Sequence, residues 1–397
     1  MAKIKLIHGR EILDSRANST LEVDVVLEDG SLGRASVPAG ASTGRAEAFK
    51  IADINKSLEN LELLKKNLIG QEASDQTKID LLMINSDGTS NKENLGANVI
   101  LALSLAICSA SANSAKMPLY KYINEISKSN LSKFSMPTPL FNIINGGKHA
   151  DNNLQFQEFM IIPMGEKSFK EKLMMGAKIY HQLKNDLTKM NLSVAVGDEG
   201  GFAPKLNSNE EALELIVASI QNAGFQPIND VTIGIDIAAS SIPDLNAVTY
   251  PERPIDYYAG LIEKYPIFLY EDPLGEDDWQ SWTELCQKIS PRIKLIGDDL
   301  YTTNPARLEQ GIEKKAANGI IIKPDQIGTL TETFRTVALA KSAHYDVIVS
   351  HRSGETESTF IADLAVGIGA NFIKSGAPAR GERTAKYNEL IRIEENL

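Results

Sequence analysis

Six positions that could do chemistry recur along the second half of the chain at nearly even spacing. They are Asp236, Glu271, Asp298, Lys323, the pair His351-Arg352, and Lys374. The steps between them are 35, 27, 25, 28 and 23 residues, each about the length of one strand–helix unit. Each stands at or just past the end of a short apolar run, at 231–235, 266–270, 293–296, 319–322, 346–349 and 371–373. In a (β/α)8 barrel the C-terminal ends of the strands converge on one face, and that face carries the active site. The spacing therefore predicts three carboxylates, two lysines, a histidine and an arginine around one mouth. One charged residue after one strand is ordinarily a helix cap or a solvated turn residue. Lysines make poor N-caps, and six coincidences in register fit that ordinary reading badly.

Three carboxylates on separate strands make an all-oxygen site suited to a hard cation such as Mg²⁺, and no Cys/His zinc spacing competes with it. A lysine beside a divalent cation has its charged form disfavoured, so it can serve as a general base. A lysine base next to Mg²⁺ suits proton abstraction beside a carboxylate, because the metal neutralises the charge that develops there.

The elements that must position these groups fall into two parts. In the first, the N-terminus runs into a strand, 20–27 alternates apolar and polar residues, Asp29-Gly30 makes a turn, and 32–37 continues as a hairpin strand. Helical periodicity follows through Ile79, Leu82 and Met83 and through Val99, Leu103 and Leu105. Strands followed by helices suggest a small α+β domain, with a boundary near Pro137 that gives domains 1–135 and 136–397. In the second part, continuous apolar runs suit parallel strands buried on both faces. Ser208 with Glu211 forms a capping box, and Gly224 ends the helix it opens. The fold class expected is α/β: a (β/α)8-type barrel behind a smaller N-terminal α+β domain.

Composition narrows the partners. The 397 residues carry a formal net charge of −11, which argues against nucleic acid. The two cysteines, Cys108 and Cys286, read as buried structural thiols rather than a disulfide framework. No signal peptide is expected, and the apolar stretch 99–108 is read as a core helix continuing toward Ala115 rather than a membrane span. These features point to the cytoplasm.

Several stretches resemble the enolase family over nearly the whole chain: Gly40-Ala41-Ser42-Thr43-Gly44, residues 142–149 with Gln157-Glu158-Phe159-Met160, 196–204 (VGDEGGFAP), 350–357 (SHRSGETE) and 385–395 (AKYNELIRIEE). The resemblance implies the enolase-type variant of the barrel and the reversible dehydration of 2-phosphoglycerate to phosphoenolpyruvate. A lysine base with one or two Mg²⁺ ions is the known arrangement of that superfamily. It further implies that Asp236, Glu271 and Asp298 bind one Mg²⁺ and that Ser42, in a mobile loop, helps hold a second that arrives with substrate. Lys323 would take the C2 proton and Glu199 would protonate the departing hydroxyl, with Glu158 and Gln157 in support. Arg352 and Ser353 would hold the phosphate and Lys374 the carboxylate, while His149 and His351 line the pocket. That scheme needs Glu199 protonated and Lys323 neutral. The two glycines after Glu199 read as room for close backbone approach to a ligand. A homodimer or a ring of dimers is implied, as is a secondary presence at the cell surface.

The chain departs from the family pattern in places. Ala17 stands in place of a usual glycine, which is harmless only where φ is negative. Lys50 opens the segment that usually reads Glu-Leu-Arg-Asp-Gly-Asp, and a loop between 240 and 251 is abbreviated. Asp325 replaces a usual asparagine after Lys323 and is read as an outward-facing turn residue. These changes leave two alternatives open: a paralog acting on a phosphonate-type substrate, akin to carboxyphosphonoenolpyruvate synthase, or a catalytically weak binding protein.

Overall fold

A computed structural model describes residues 2–41, 43–242 and 253–397. The first part is an antiparallel sheet of β1 (Ile4–Leu13), β2 (Ser19–Leu27) and β3 (Leu32–Ser36), in that order, followed by α1 (Ile54–Leu68), α2 (Gln76–Asp87), α3 (Ala97–Ser114) and α4 (Leu119–Ile126). The second part opens with β4 (Thr138–Asn145) and β5 (Glu158–Pro163), then α5 (Phe169–Lys189) and α6 (Asn209–Asn222). Strand and helix then alternate: β6 (Val231–Asp236), α7 (Pro254–Lys264), β7 (Ile267–Glu271), α8 (Trp279–Ile289), β8 (Lys294–Gly297), α9 (Pro305–Lys314) and β9 (Gly319–Ile322). The series ends with α10 (Pro324–Ile327), α11 (Leu330–Ser342), β10 (Asp346–Ser350), α12 (Phe360–Gly367), β11 (Phe372–Lys374) and α13 (Gly381–Glu394).

Strands β4 to β11 close into a barrel of eight. The six strands expected from apolar runs are β6 to β11, each within a residue or two of its expected bounds. The barrel is not all-parallel, as repeated strand–helix units alone predict: β5 runs antiparallel to both β4 and β6. The reason is local. The twelve residues between β4 and β5 form only a three-residue 3₁₀ turn and no crossover helix, so the chain returns as a hairpin. Alternation along each strand sends Leu140, Met160, Ile162, Leu269, Ile296, Ile321, Ile348 and Phe372 into the barrel interior as one apolar cluster. Their strand neighbours, such as Ile320 and Ile322, join the larger core under the helices.

Helix α3 is the spine of the N-terminal domain. Apolar residues on every side make it a helix for burial, and Val99, Ile100, Leu103, Ala106, Ile107 and Cys108 are all fully enclosed. By length and composition it could cross a membrane, but most of it lies inside this fold. Strand β3 lies directly on it: a Cβ on Gly33 would stand 2.0 Å from the Ala106 carbonyl oxygen and 2.3 Å from the Ala110 nitrogen. Both cysteines are buried and unpaired.

Two local expectations come out differently. Ser208 caps α6 by accepting from Glu211 N at 3.2 Å, but the Glu211 carboxylate reaches back to Asn207 N rather than to Ser208. Ala17 sits at φ +59°, in the left-handed region that costs a non-glycine roughly 1 kcal/mol. Asp14 holds that turn, its Oδ1 accepting from Arg16 N and Asn18 N at 2.8 Å each.

The N-terminal domain meets the barrel around the 350–357 segment. Ala39 N and Gly354 O, and Gly354 N and Ala39 O, exchange hydrogen bonds at 2.8 Å. Ser36 Oγ meets Thr356 Oγ1 at 2.7 Å, and Ala41 N donates to Ser353 Oγ at 2.6 Å.

Candidate active site

Asp236, Glu271 and Lys374 are the last residues of β6, β7 and β11; Asp298 and Lys323 come just past β8 and β9, and His351-Arg352 just past β10. Glu158 is the first residue of its strand, yet it reaches the same mouth. Because β5 runs antiparallel, its start lies beside the end of β6, with Glu158 opposite Asp236 in register. His149 ends a short 3₁₀ turn after β4, and Glu199 lies in the loop between α5 and α6. One cavity of about 20 Å³ is lined by His149, Gln157, Glu158, Glu199, Asp236, Asp298, Lys323, His351, Arg352, Ser353 and Lys374. Glu271 sits under it, fully buried, with both carboxylate oxygens 2.8 Å from Lys374 Nζ. Ser42 and most of the 240–251 loop lie outside the described residues. A wider cleft of about 760 Å³, lined among others by Arg16, Lys148, Asp151, Asp198 and Lys205, adjoins the site, and His149 lines both.

The three expected metal ligands reach one mouth without forming one compact set of oxygens. Lys374 Nζ is shared by Glu271, Glu158 at 3.2 Å and Asp236 at 3.4 Å, while Asp298 is drawn to Lys323 Nζ. Gln157 Nε2 donates to Asp236 at 3.3 Å and Gln326 Nε2 to Asp298 at 2.9 Å. Two other groups have ligand atoms within 4.8 Å of one another: His149 with Glu158 and Glu199, and Asp272 with Asp298 and Asp299. Asp272 accepts the backbone N–H groups of Asp298 and Asp299 at 2.9 and 2.6 Å, so it fixes the turn that presents Asp298.

Charge in the site is unbalanced. Glu158, Glu199, Asp236, Glu271 and Asp298 are all buried, against the buried Lys374 and Arg352 and the half-buried Lys323. Burial first, and Asp236 beside it, push the Glu271 carboxyl up to about 8. Burial and Glu199 push Glu158 well above the carboxylate range. Burial disfavours the Lys374 charge, but Glu158, Glu271 and Asp236 hold it above its ordinary value. Hard oxygen donors, enclosed and short of positive charge, are what a divalent cation requires. The residues present therefore fit a metal.

Histidine 351 has one assignable tautomer. Arg383 NH1 lies 2.6 Å from His351 Nδ1, and a guanidinium can only donate, so Nδ1 accepts and carries no proton. The proton is on Nε2, 3.3 Å from Glu199 Oε2. Burial, with Arg383 and Lys374 nearby, pushes the ring's pKa down to about 3, so it is neutral. Burial opposes charge on Glu199, but the His351 and His149 rings outweigh it and hold the carboxyl well below its ordinary range. Since His351 is neutral, that support is an N–H dipole rather than a full charge. Asn142 Nδ2 adds a bond to Glu199 Oε2 at 3.0 Å. Burial opposes charge on Lys323 too, and the Asp298 carboxylate overrides it, holding the ammonium above its ordinary value. Without a cation these partners favour the charged forms of Glu199 and Lys323, whereas the scheme implied by the resemblance starts from the opposite forms. Each group's nearest partners stabilise its charge.

One other reading needs correction. Asp325 is buried, not outward-facing. Its Oδ2 accepts from Lys50 Nζ at 2.7 Å and from Arg352 NH1 at 2.8 Å. The two departures at 50 and 325 therefore meet in space, and the Asp325 charge is engaged by Lys50 and Arg352 rather than added to Lys323. The glycines after Glu199 also serve packing on protein. Gly200 takes φ +87°, and a Cβ on Gly201 would come within 2.5 Å of Asn145 Oδ1.

Sequence reasoning missed Asn142, Arg383, Glu47 and Lys50 as parts of this site. Asn142 and Arg383 lie in or beside the quoted motif stretches, the only signal that pointed to them. Arg383 is fully buried and also donates to the carbonyls of Arg352 and Ser353 at 2.6 Å and of Asp198 at 3.0 Å, binding the 350–357 and 196–204 segments to α13.

Comparison with known families matches residues 133–397 to the family described as "Enolase, C-terminal TIM barrel domain" and residues 4–123 to "Enolase, N-terminal domain".

Proposed function

The chain belongs to the enolase family, and from that premise we propose that it catalyses the reversible, Mg²⁺-dependent dehydration of 2-phosphoglycerate to phosphoenolpyruvate. The observation that carries the proposal is a half-buried lysine, Lys323, and a buried glutamate, Glu199, converging on one cavity with Arg352, Ser353 and Lys374.

Arg352, Ser353 and Lys374 supply donors and positive charge for a phosphate and a carboxylate, and the bidentate guanidinium suits the phosphate. Asp236, Glu271 and Asp298 would hold the cation. When bound, it supplies neutralisation of the charge that develops on the substrate carboxylate and competes for the Asp298 oxygens that keep Lys323 protonated. In the dehydrating direction Lys323 Nζ takes the C2 proton, and Glu199, having gained a proton, gives it to the departing C3 hydroxyl, which leaves as water. In hydration Glu199 takes a proton from water and the Lys323 ammonium returns one to C2. His351, neutral through Arg383, keeps an N–H on Glu199 throughout. Barrel walls and the N-terminal domain exclude bulk water, which strengthens each of these interactions.

The reading carries with it a cytoplasmic location and a homodimer or ring of dimers. The test is phosphoenolpyruvate formation, followed by ultraviolet absorbance, for the wild type and Lys323→Ala with Mg²⁺. Activity in the wild type and a loss of at least about 10²-fold in the variant are expected. A folded, Mg²⁺-loaded wild type without activity refutes the substrate assignment.

A further inference from the structure

Four side chains close a square of alternating charge beside the site. Arg352 NH2 lies 3.0 Å from Glu47 Oε1, and Arg352 NH1 lies 2.8 Å from Asp325 Oδ2. Lys50 Nζ completes the figure, 3.0 Å from Glu47 Oε2 and 2.7 Å from Asp325 Oδ2. Arg352, Asp325 and Glu47 are buried, while Lys50 stands at the rim with its side chain 20% exposed. Two corners come from the N-terminal domain, just past residues 40–44, and two from the turns after β9 and β10. Ala48 N donates to Gln326 O at 2.7 Å, so the backbones at this junction are joined as well.

The charges constrain one another. A buried carboxylate is costly unless it is paired, and one guanidinium cannot neutralise both Glu47 and Asp325. With Lys50 the square is neutral. Without it the square carries a net negative charge against the side chain that would receive an anionic group. Lys50 is therefore required because Asp325 is charged, and an uncharged residue at 325 removes the requirement.

We propose that Lys50 and Asp325 act as a coupled pair of positioning residues that fix the Arg352 guanidinium for anion binding and keep excess negative charge out of the anion pocket. This rests on the assignment of Arg352 to the substrate phosphate under the proposed function. The pair touches no reacting atom. It links the segment that follows residues 40–44 to the anion-binding end of the barrel site, so the N-terminal domain contributes to substrate affinity through it.

The test compares wild type, Lys50→Met, Asp325→Asn and the double variant, all Mg²⁺-loaded. Lys50→Met is expected to raise KM for 2-phosphoglycerate about tenfold with kcat within about threefold, and the double variant to return KM to within about threefold of wild type. A merely structural role lowers stability without that split and without that rescue. KM unmoved in Lys50→Met, or a double variant no better than the single, overturns the proposal. Urea unfolding of the four proteins without substrate separates this inference from the functional one. Additive effects of the two substitutions show that the square is uncoupled and refute the pair. Non-additive effects with a wild type inactive on 2-phosphoglycerate refute the substrate assignment instead. Calorimetric binding of inorganic phosphate to the four proteins then decides the anion role: affinity must fall in Lys50→Met and recover in the double variant, and any other pattern overturns it.

Discussion

Replacing Lys374 with methionine removes the ammonium shared by Glu158, Asp236 and Glu271, the one cation among the described residues in contact with all three. Methionine keeps most of the apolar stem, so the change is mainly one of charge. Breaking a buried ion pair by deleting one partner costs about 3–5 kcal/mol. Glu271 and Glu158 are already pushed toward protonation and can neutralise further, so the low end, about 3 kcal/mol, is expected in EDTA. If the carboxylates form a cation site, Mg²⁺ takes over the missing charge. At about 100 times its Kd a ligand stabilises the native state by about 2.7 kcal/mol, and a site freed of the competing ammonium binds more tightly than the wild-type site. Both proteins gain from Mg²⁺, so at saturation the gap between variant and wild type should shrink by about 1.4 kcal/mol for each tenfold by which the variant binds more tightly. Urea unfolding followed by circular dichroism, with EDTA and with Mg²⁺, measures both gaps. Activity should stay lost in either condition, because the lysine that would hold the substrate carboxylate is gone. Equal gaps in EDTA and in Mg²⁺ would refute the reasoning, since Lys374 would then not compete with a cation for these carboxylates.

Two further outcomes follow from the same groups. Glu271 is raised to about 8, above its unfolded value, so its contribution to the stability of the metal-free protein is full below about pH 4 and is lost as pH rises through 8. Cation binding draws on the ionised form, so Mg²⁺ affinity should rise between pH 6 and 9 with release of protons, measurable by calorimetry in two buffers of different ionisation enthalpy; a pH-independent affinity contradicts it. Arg383→Lys should leave His351 with mixed tautomers, because an ammonium cannot serve Nδ1 and the carbonyls of Arg352 and Ser353 in one plane. A loss of kcat of about 10–100-fold is expected, as for a mispositioned group. Nitrogen-15 spectra of the histidines should show the mixture, and a single Nε2–H form in the variant would disprove the tautomer argument.

The composition and spacing of the chain alone determined the six barrel strands from β6 onward and the groups at their ends. Those are local properties: an apolar run of three to five residues suits a parallel strand buried on both faces, and the residue that follows a barrel strand emerges at the mouth. The antiparallel β5 was hidden from that logic, because Glu158 opens a strand rather than ending one. The inward turn of Asp325 and the packing of Gly201 against Asn145 depend on neighbours far along the chain. Protonation in the site depends on them most. Nothing near Lys323 in sequence announces that Asp298 will hold its proton, and nothing near His351 announces that Arg383 will fix its ring. Those states were decided only by tertiary structure, because the energy of a buried charge is set by the few groups within hydrogen-bonding reach, and here they arrive from separate strands, from α13 and from the N-terminal domain.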